Sequence, residues 1–214
     1  GDHPEWAFSP LNNFYYMPGE RFTMDKDLQG YEEFPAKVTG NDCFTSHPGM
    51  NDWYETVKLN YGVFYQGGWE KQFNPIPNTW INMRDILLFW AGKGIDGVRV
   101  DMAEMVPVEF FAWAIEQVKK KHKKFIFIGE CYDPGKYDSY LAAGFDYLYD
   151  KVGMYDYLRG VTSKGWPASG ITHQWMQHGD ERIKHMLYFL ENHDEQRLAS
   201  GFFSGDGRCA EPAM

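Results

Sequence analysis

The chain has 214 residues, 43% of them hydrophobic and 18% aromatic, which is enough for a packed core in one large domain or two small ones. Its formal net charge of −9 argues against nucleic acid as the main partner, because such binding depends on neutralising phosphates. Cys43, Cys131 and Cys209 are widely spaced, which predicts free thiols rather than a disulfide framework. No apolar run is long enough to predict a membrane span, and the first residues do not resemble a signal peptide.

Residues 1–78 predict a loop-rich subdomain, because turn-forming stretches such as "MPGE", "SHPGMNDW" and "NPIPN" recur without any long periodic run. Residues 79–214 predict a second region of alternating helices and strands. It opens on "NTWINMRDILLFWAGKG", where a capping residue, spaced apolar positions and a final glycine predict an amphipathic helix. The apolar positions are Trp80, Met83, Leu87 and Trp90.

Four apolar runs follow, and helical patterns separate them. The first of these patterns has Val108, Phe111, Ile115 and Val118 on one face. Continuously apolar strands that alternate with helices predict an α/β fold with a parallel sheet buried on both faces. The runs are "GVRVD" (97–101), "FIFIGE" (125–130), "FDYLYD" (145–150) and "MLYFLENHD" (186–194), the last read as a strand through Leu190.

Three of these runs end in acidic residues, at Asp101, Glu130 and the Glu191–Asp194 packet. A single acid at a strand end is more often a helix cap or a solvated loop residue. Parallel strands, however, bring their carboxyl ends to one edge, where α/β proteins place their active sites. The convergence of three acids therefore predicts a site.

The chemistry of glycoside hydrolysis with retention fits this pattern, because it needs two carboxyl groups about 5 Å apart. Asp101 and Glu130 are 29 residues apart, which is one βα unit and predicts neighbouring strands. Arg99 shares a strand face with Asp101 and would keep it ionised. Glu130 follows Ile128 and Gly129, and this apolar setting would keep it protonated for the acid step.

Three motifs resemble those of the α-amylase superfamily, glycoside hydrolase family 13. "DGVRVD" is similar to its nucleophile motif, "FIGE" to its acid/base motif and "FLENHD" to its late-strand motif. They occur in the family's order, with one and then two βα units between them. The resemblance implies part of a (β/α)8 TIM barrel, with strands four to seven in residues 79–214 and an insertion (domain B-like) in residues 1–78.

The resemblance also implies residue roles. Asp101 would be the nucleophile, Glu130 the general acid/base, and Asp194 a third carboxylate that binds sugar hydroxyls and favours the distorted ring. His193 would bind the sugar and Arg99 would orient Asp101. The implied function is that of a retaining α-glycosidase on α-1,4-linked glucans such as starch and maltooligosaccharides. It needs no cofactor for its chemistry.

Two departures from the family pattern limit this prediction. An earlier Asp with a following Asn-His pair is missing, so the chain resembles an internal piece of a catalytic domain. We expect it to be weakly active or inactive alone and to self-associate through exposed barrel edges. A secreted or periplasmic location would suit the parent. Glu104 and Met105 replace a common Lys-His pair, which leaves hydrolysis or glycosyl transfer, and endo or exo attack, open.

Ligand contacts outside these motifs are weaker predictions. Tyr132 is the preferred candidate to stack on a sugar, because it lies just past Glu130; Trp53, Tyr54 and Trp69 are more often packing residues. A structural calcium ion is possible but unassigned. Its candidate ligands, which are more often solvated loop residues, are Asp42, Asp52 and Glu55.

Two other functions remain open. The first is a metal-dependent barrel hydrolase, although no HxH or HExxH spacing occurs and His173, His178 and His185 are predicted to lie on the surface of helices. The second is a non-catalytic glucan-binding protein that retains the carboxylates without using them.

Overall fold

A computed structural model describes residues 1–208 of the chain. These residues form two compact units, one of residues 1–90 and one that begins at Ala91, and each is described separately. The boundary near residue 78 that the composition suggests stays a prediction. Within residues 1–208 no helix combines the length and apolar character that a bilayer span requires.

The first unit consists mostly of loops around two short antiparallel strand pairs. Strand β1 (Tyr16–Met17) pairs with β2 (Ala36–Lys37), and β3 (Val63–Phe64) pairs with β4 (Glu70–Lys71). An apolar cluster lies around the first pair and buries Tyr15, Met17, Phe22, Ala36 and Val38.

Helix α1 (Asn78–Gly92) confirms the helix predicted after the proline-rich turn. The sequence predicts both Trp80 and Trp90 on the apolar face of this helix. Trp80 is buried, whereas Trp90 is half exposed. The predicted glycine stop is present: Gly94 adopts a φ of 88°, a left-handed conformation that glycine allows without steric cost, and its N–H donates to the Ala91 carbonyl.

The second unit contains a four-stranded parallel sheet with the order β5-β6-β7-β8. Its helices lie between the strands in the chain, so the predicted parallel α/β fold is confirmed. The strands are β5 (Gly97–Val100), β6 (Ile126–Gly129), β7 (Tyr147–Tyr149) and β8 (Met186–Leu187). The helices are α2 (Val108–Lys121), α3 (Tyr137–Ala142), α4 (Asp156–Lys164), α5 (Ser169–Met176) and α6 (Gly179–Arg182).

Helix α2 buries three of the four residues of the apolar stripe that its sequence predicts, and the fourth, Val108, is partly buried. Phe111, Ile115 and Val118 are all at most 5% exposed, and Phe110 and Ala114 beside them are buried as well. The stripe follows the i, i+3, i+4 spacing of a helix with one face toward a core.

Strand β8 is shorter than the sequence predicts. It ends at Leu187, so the expected strand through Leu190 is wrong, and Tyr188 is 37% exposed. β8 has one neighbour in the described sheet, β7, and the two share a ladder of only two residue pairs. Phe189 instead stacks on Tyr155, with ring centroids 4.9 Å apart.

The register of β5 and β6 brings two of the predicted site residues side by side. Val100 pairs with Gly129, so the next residues, Asp101 and Glu130, are neighbours across the ladder. The Glu130 N–H donates to the Val100 carbonyl over 3.0 Å and continues the ladder by one step. Neighbours in register on parallel strands point to the same face.

Because of this register, Gly97 should tolerate no side chain. A Cβ atom there would lie 2.3 Å from the Ile126 carbonyl oxygen, which belongs to the paired backbone of β6. We expect Gly97→Ala to lower the free energy of unfolding by about 1–3 kcal/mol in urea denaturation. Gly92→Ala is the control, because a Cβ there meets nothing within 4 Å. Equal stability of the two variants would contradict the register.

Candidate active site

The Arg99 side chain lies at the centre of the predicted site, near the carboxylates that follow β5 and β6 and one from the segment after β8. Its Nη1 pairs with Asp101 Oδ1, and its Nη2 lies 2.8 Å from Glu130 Oε1. The same Nη2 is 3.8 Å from Asp194 Oδ2. Arg99 and the three predicted carboxylates therefore form one cluster.

The Glu130 carboxylate is buried and held at both oxygens. Oε1 accepts from the Tyr132 hydroxyl over 2.7 Å and faces Arg99, while Oε2 accepts from the Met102 N–H over 2.8 Å. The residue is 6% exposed, so these partners replace the water that a carboxylate would otherwise bind. The position of Glu130 is thus fixed by three separate groups.

The Met102 N–H reaches Glu130 because the backbone turns sharply after β5. Met102 has a φ of 44° in the left-handed region, which non-glycine residues rarely adopt and which costs about 1–3 kcal/mol where the surroundings enforce it. Asp101, just before it, is exposed. The turn therefore presents the Asp101 side chain at the sheet edge and directs the next N–H toward Glu130.

The segment after β8 forms a tight turn shaped by Asn192. The Asn192 side-chain oxygen accepts from the N–H groups of Asp194 and Glu195, both over 2.9 Å, as in an Asx-turn. His193 Nε2 lies 3.1 Å from Asp194 Oδ2, and both side chains are more than half exposed. The turn presents this pair at the surface.

Glu191 has a different position from its neighbours in the packet. Its carboxylate accepts from the Leu198 N–H over 2.9 Å and from Arg197 over 2.7 Å. These two bonds lower the pKa of Glu191 below its ordinary value. Glu191 therefore ties the following segment to the turn and does not join the Arg99 cluster.

Two pKa shifts describe the charge balance of the cluster. Burial opposes the charged form of Arg99, but the hydrogen bond to Asp101 and the charge of Glu130 outweigh it, so the pKa of Arg99 is raised. Burial, followed by the hydrogen bond to Glu130, raises the pKa of the Tyr132 hydroxyl. Arg99 is therefore cationic and Tyr132 protonated at any physiological pH.

Two of the remaining predicted site residues take specific places. His193 contacts Asp194, while Tyr132 directs its hydroxyl to Glu130. Sugar stacking by Tyr132 stays a prediction. The sequence reasoning missed Tyr149, whose ring centroid is 5.7 Å from the Arg99 guanidinium carbon. The ladder gives the signal that could have found it, because Gly129 pairs with Leu148 and Tyr149 therefore follows beside Glu130.

The prediction that His178 lies at the surface is wrong. Its side chain is 4% exposed, and its Nε2 lies 2.7 Å from Oδ2 of the fully buried Asp150. Asp150 also accepts from the Gly153 and Met154 N–H groups at the start of the next helical segment. Asp150, which caps the helical segment after β7, thus provides a buried partner for His178.

The three candidate calcium ligands do not converge. Asp42 forms an ion pair with the buried Lys58, and Asp52 accepts from the Gly49 N–H over 2.7 Å, while Glu55 is exposed. Within residues 1–208, no three His, Cys, Asp or Glu side chains are grouped so that they could hold a metal ion. These residues do not fit a calcium site as they stand, and calcium dependence stays a prediction.

No protein-family model matches the chain. Among curated proteins it is similar to enzymes named alpha-1,4-glucan:maltose-1-phosphate maltosyltransferase. The one from Cereibacter sphaeroides is 31% identical over 187 residues, which cover 76% of this chain and 26% of that protein. The one from Burkholderia pseudomallei is 32% identical over 95 residues, or 41% of this chain and 8% of that protein. The chain thus spans at most about a quarter of these relatives.

Solved structures share the fold at lower identity. The cyclic alpha-maltosyl-(1→6)-maltose hydrolase of Arthrobacter globiformis has a TM-score of 0.65 and 20% identity, and the match covers 96% of this chain and 41% of that one. A debranching enzyme of Nostoc punctiforme has a TM-score of 0.64 and 16% identity over 94% of this chain and 41% of that one.

The parallel sheet, its helices and these neighbours define part of a (β/α)8 barrel. Among (β/α)8 barrel proteins, the three motifs and the similarity to maltosyltransferases indicate one family. The chain belongs to the α-amylase superfamily, glycoside hydrolase family 13.

The Arg99 cluster predicts a stability cost when its cation is removed. Arg99→Gln leaves the buried Glu130 carboxylate without its charged partner, so we expect a loss of about 1–3 kcal/mol in unfolding free energy. Arg197→Gln removes an exposed ion pair with Glu191 and should leave the unfolding free energy nearly unchanged. Urea denaturation of both variants is the measurement. A cost for Arg99→Gln no larger than that for Arg197→Gln would contradict the central position of Arg99.

Proposed function

We propose that this chain carries the catalytic centre of a retaining enzyme that acts on α-1,4-linked glucans. The observation that supports this most is the guanidinium of Arg99, which contacts both Asp101 and Glu130 and so requires their carboxylates to lie close together. Retaining glycosidases hold two carboxyl groups about 5 Å apart, whereas inverting ones leave about 6.5–9.5 Å for a water molecule. A single guanidinium bridge favours the shorter spacing.

In the first step Asp101 attacks the anomeric carbon of the glucan. The bond to the leaving oxygen breaks, Glu130 gives that oxygen its proton, and a covalent glycosyl ester forms on Asp101. Asp101 suits the role of nucleophile because its side chain is 67% exposed and its carboxylate is paired with Arg99. Asp194 and His193, also exposed, would bind sugar hydroxyls beside the ester.

In the second step an acceptor hydroxyl attacks the anomeric carbon from the face that the leaving group vacated, opposite the ester, and the bond from that carbon to Asp101 breaks. Glu130, now ionised, takes the proton of the acceptor, and Asp101 is released as a carboxylate. The Tyr132 hydroxyl can donate to the Glu130 carboxylate and can rotate to accept from its protonated form. It can therefore stay bonded to Glu130 in both halves of the cycle.

The acceptor decides whether the enzyme hydrolyses or transfers. Water gives hydrolysis, and a sugar hydroxyl or phosphate gives transfer by the same residues. The curated relatives are named maltosyltransferases, which supports transfer of a maltosyl unit as the second form of this proposal. A metal ion at the cleaved bond has no part in either form of this mechanism.

The configuration of the first product tests retention. In the full-length protein, maltooligosaccharide cleavage followed by proton NMR should yield the α-anomer first, before mutarotation. Asp101→Asn should lower the rate by at least about 10⁴-fold, because the nucleophile is lost. A β-anomer as first product would overturn the two-step mechanism.

A donor assay separates transfer from hydrolysis. With maltose 1-phosphate and an α-1,4-glucan acceptor, a maltosyltransferase releases phosphate and lengthens the glucan by two glucose units. A hydrolase instead releases reducing sugar from the glucan, with or without phosphate donor. Product sizes from chromatography distinguish the two, and absence of both activities would contradict the proposed function as a whole.

A further inference from the structure

The turn that follows Asp101 is bonded directly to the backbone of Glu130. We call residues 102–105 the nucleophile turn. The Ala103 N–H donates to the Glu130 carbonyl over 3.0 Å, next to the bond from the Met102 N–H to the Glu130 carboxylate. The Tyr140 hydroxyl donates to the Val106 carbonyl over 2.9 Å and also lies 3.2 Å from the Ala103 carbonyl, so it contacts the turn from the other side. The nucleophile turn is therefore a rigid neighbour of Glu130.

Glu104, within this turn, reaches across to the segment after Glu130. We call residues 131–133 the acid/base loop. Glu104 Oε2 accepts from the Asp133 N–H over 3.1 Å and contacts the Cys131 thiol at 3.8 Å, while Lys136 Nζ lies 4.0 Å away. Its side chain is 26% exposed, so these contacts are only partly screened by water. Glu104 thus holds the acid/base loop at both of its ends.

Tyr132 lies between the two ends that Glu104 holds, and its hydroxyl donates to Glu130 Oε1 over 2.7 Å. That bond spans only two residues, so its geometry depends on the path of the backbone through residues 131–133. A loop that moved by about 1 Å would take the hydroxyl out of hydrogen-bond range. The position of the Tyr132 hydroxyl therefore depends on the contacts that Glu104 makes with the loop.

We propose that Glu104 is a positioning residue for the acid/base: it fixes the acid/base loop, so that the Tyr132 hydroxyl stays on Glu130 and orients its carboxyl group for proton transfer. The catalytic consequence of this inference rests on the proposed function. The contacts between Glu104 and the acid/base loop, which we call the clamp, are a property of the structure alone. With the Met102 N–H on one oxygen and the Tyr132 hydroxyl on the other, the plane of the Glu130 carboxyl group is set. Proton delivery to a leaving oxygen depends on such alignment.

A change of leaving group tests the catalytic consequence. In the full-length protein, Glu104→Ala and Tyr132→Phe should lower kcat/KM for a maltooligosaccharide about 10- to 100-fold, since that leaving oxygen needs a proton and general acids contribute about 10²- to 10⁴-fold. For a maltosyl fluoride, whose fluoride departs without one, the loss should be under about threefold. Glu116→Ala, an exposed glutamate of α2, is the matched control and should change neither value.

Equal losses on the two donors would overturn the proposal, because they would indicate a general defect in folding or sugar binding. The proposal would also be overturned if Glu104→Ala left kcat/KM unchanged for both donors. Tyr132→Phe keeps the tyrosine ring and the Glu104 contacts, so it remains informative even if Glu104→Ala folds poorly.

The reactivity of Cys131 tests the clamp independently of activity. The Cys131 side chain is buried, and burial raises the pKa of its thiol to about 12, so it should react slowly with iodoacetamide at neutral pH. Glu104→Ala should speed its alkylation at least about tenfold through local opening of the loop. Tyr132→Phe and Glu116→Ala should leave the rate as it is. Peptide mapping separates Cys131 from Cys43 and Cys209.

Unchanged alkylation of Cys131 in Glu104→Ala would overturn the clamp. If the unmodified enzyme acted on neither donor, the proposed function would fail instead, and the alkylation rates alone would decide the clamp. The two failures are therefore distinguishable.

Discussion

The geometry of the site depends on one cation among three acids. Carboxylates that converge at a sheet edge repel one another, and the repulsion grows where burial removes water. Arg99 offsets it by pairing with Asp101 and Glu130 and by lying near Asp194. The arrangement follows from the backbone, because Arg99 and Asp101 share one face of β5 and the register places Glu130 beside them. The sheet thus brings the carboxylates together, and the positive charge of Arg99 offsets the repulsion between them.

The two main carboxylates differ in their surroundings. Glu130 is buried and bonded at both oxygens, whereas Asp101 is exposed and bound mainly by Arg99. A group that shuttles a proton benefits from a fixed orientation, while a nucleophile needs access to the substrate. This asymmetry comes from the left-handed Met102, which turns Asp101 outward and its own N–H inward.

Sequence patterns predicted what depends on local periodicity. The buried face of α2 follows from helical spacing of apolar residues. The parallel order of the strands and the meeting of Asp101 with Glu130 follow from apolar runs that end in acid. Contacts between distant loops gave no such signal. The burial of His178 depends on Asp150, 28 residues away, and the contact of Glu104 with Asp133 spans 29 residues. Neither pair has a spacing that periodicity can detect.

In the proposed mechanism Asp101 becomes covalently bonded to sugar while Glu130 moves the proton. Incubating the full-length protein with a fluorinated glycosyl fluoride, followed by peptide mass spectrometry, tests it most directly. We expect one added glycosyl group on the peptide that carries Asp101 and none in Asp101→Asn. Attachment to Glu130 or Asp194, or no attachment while the donor is turned over, would contradict it.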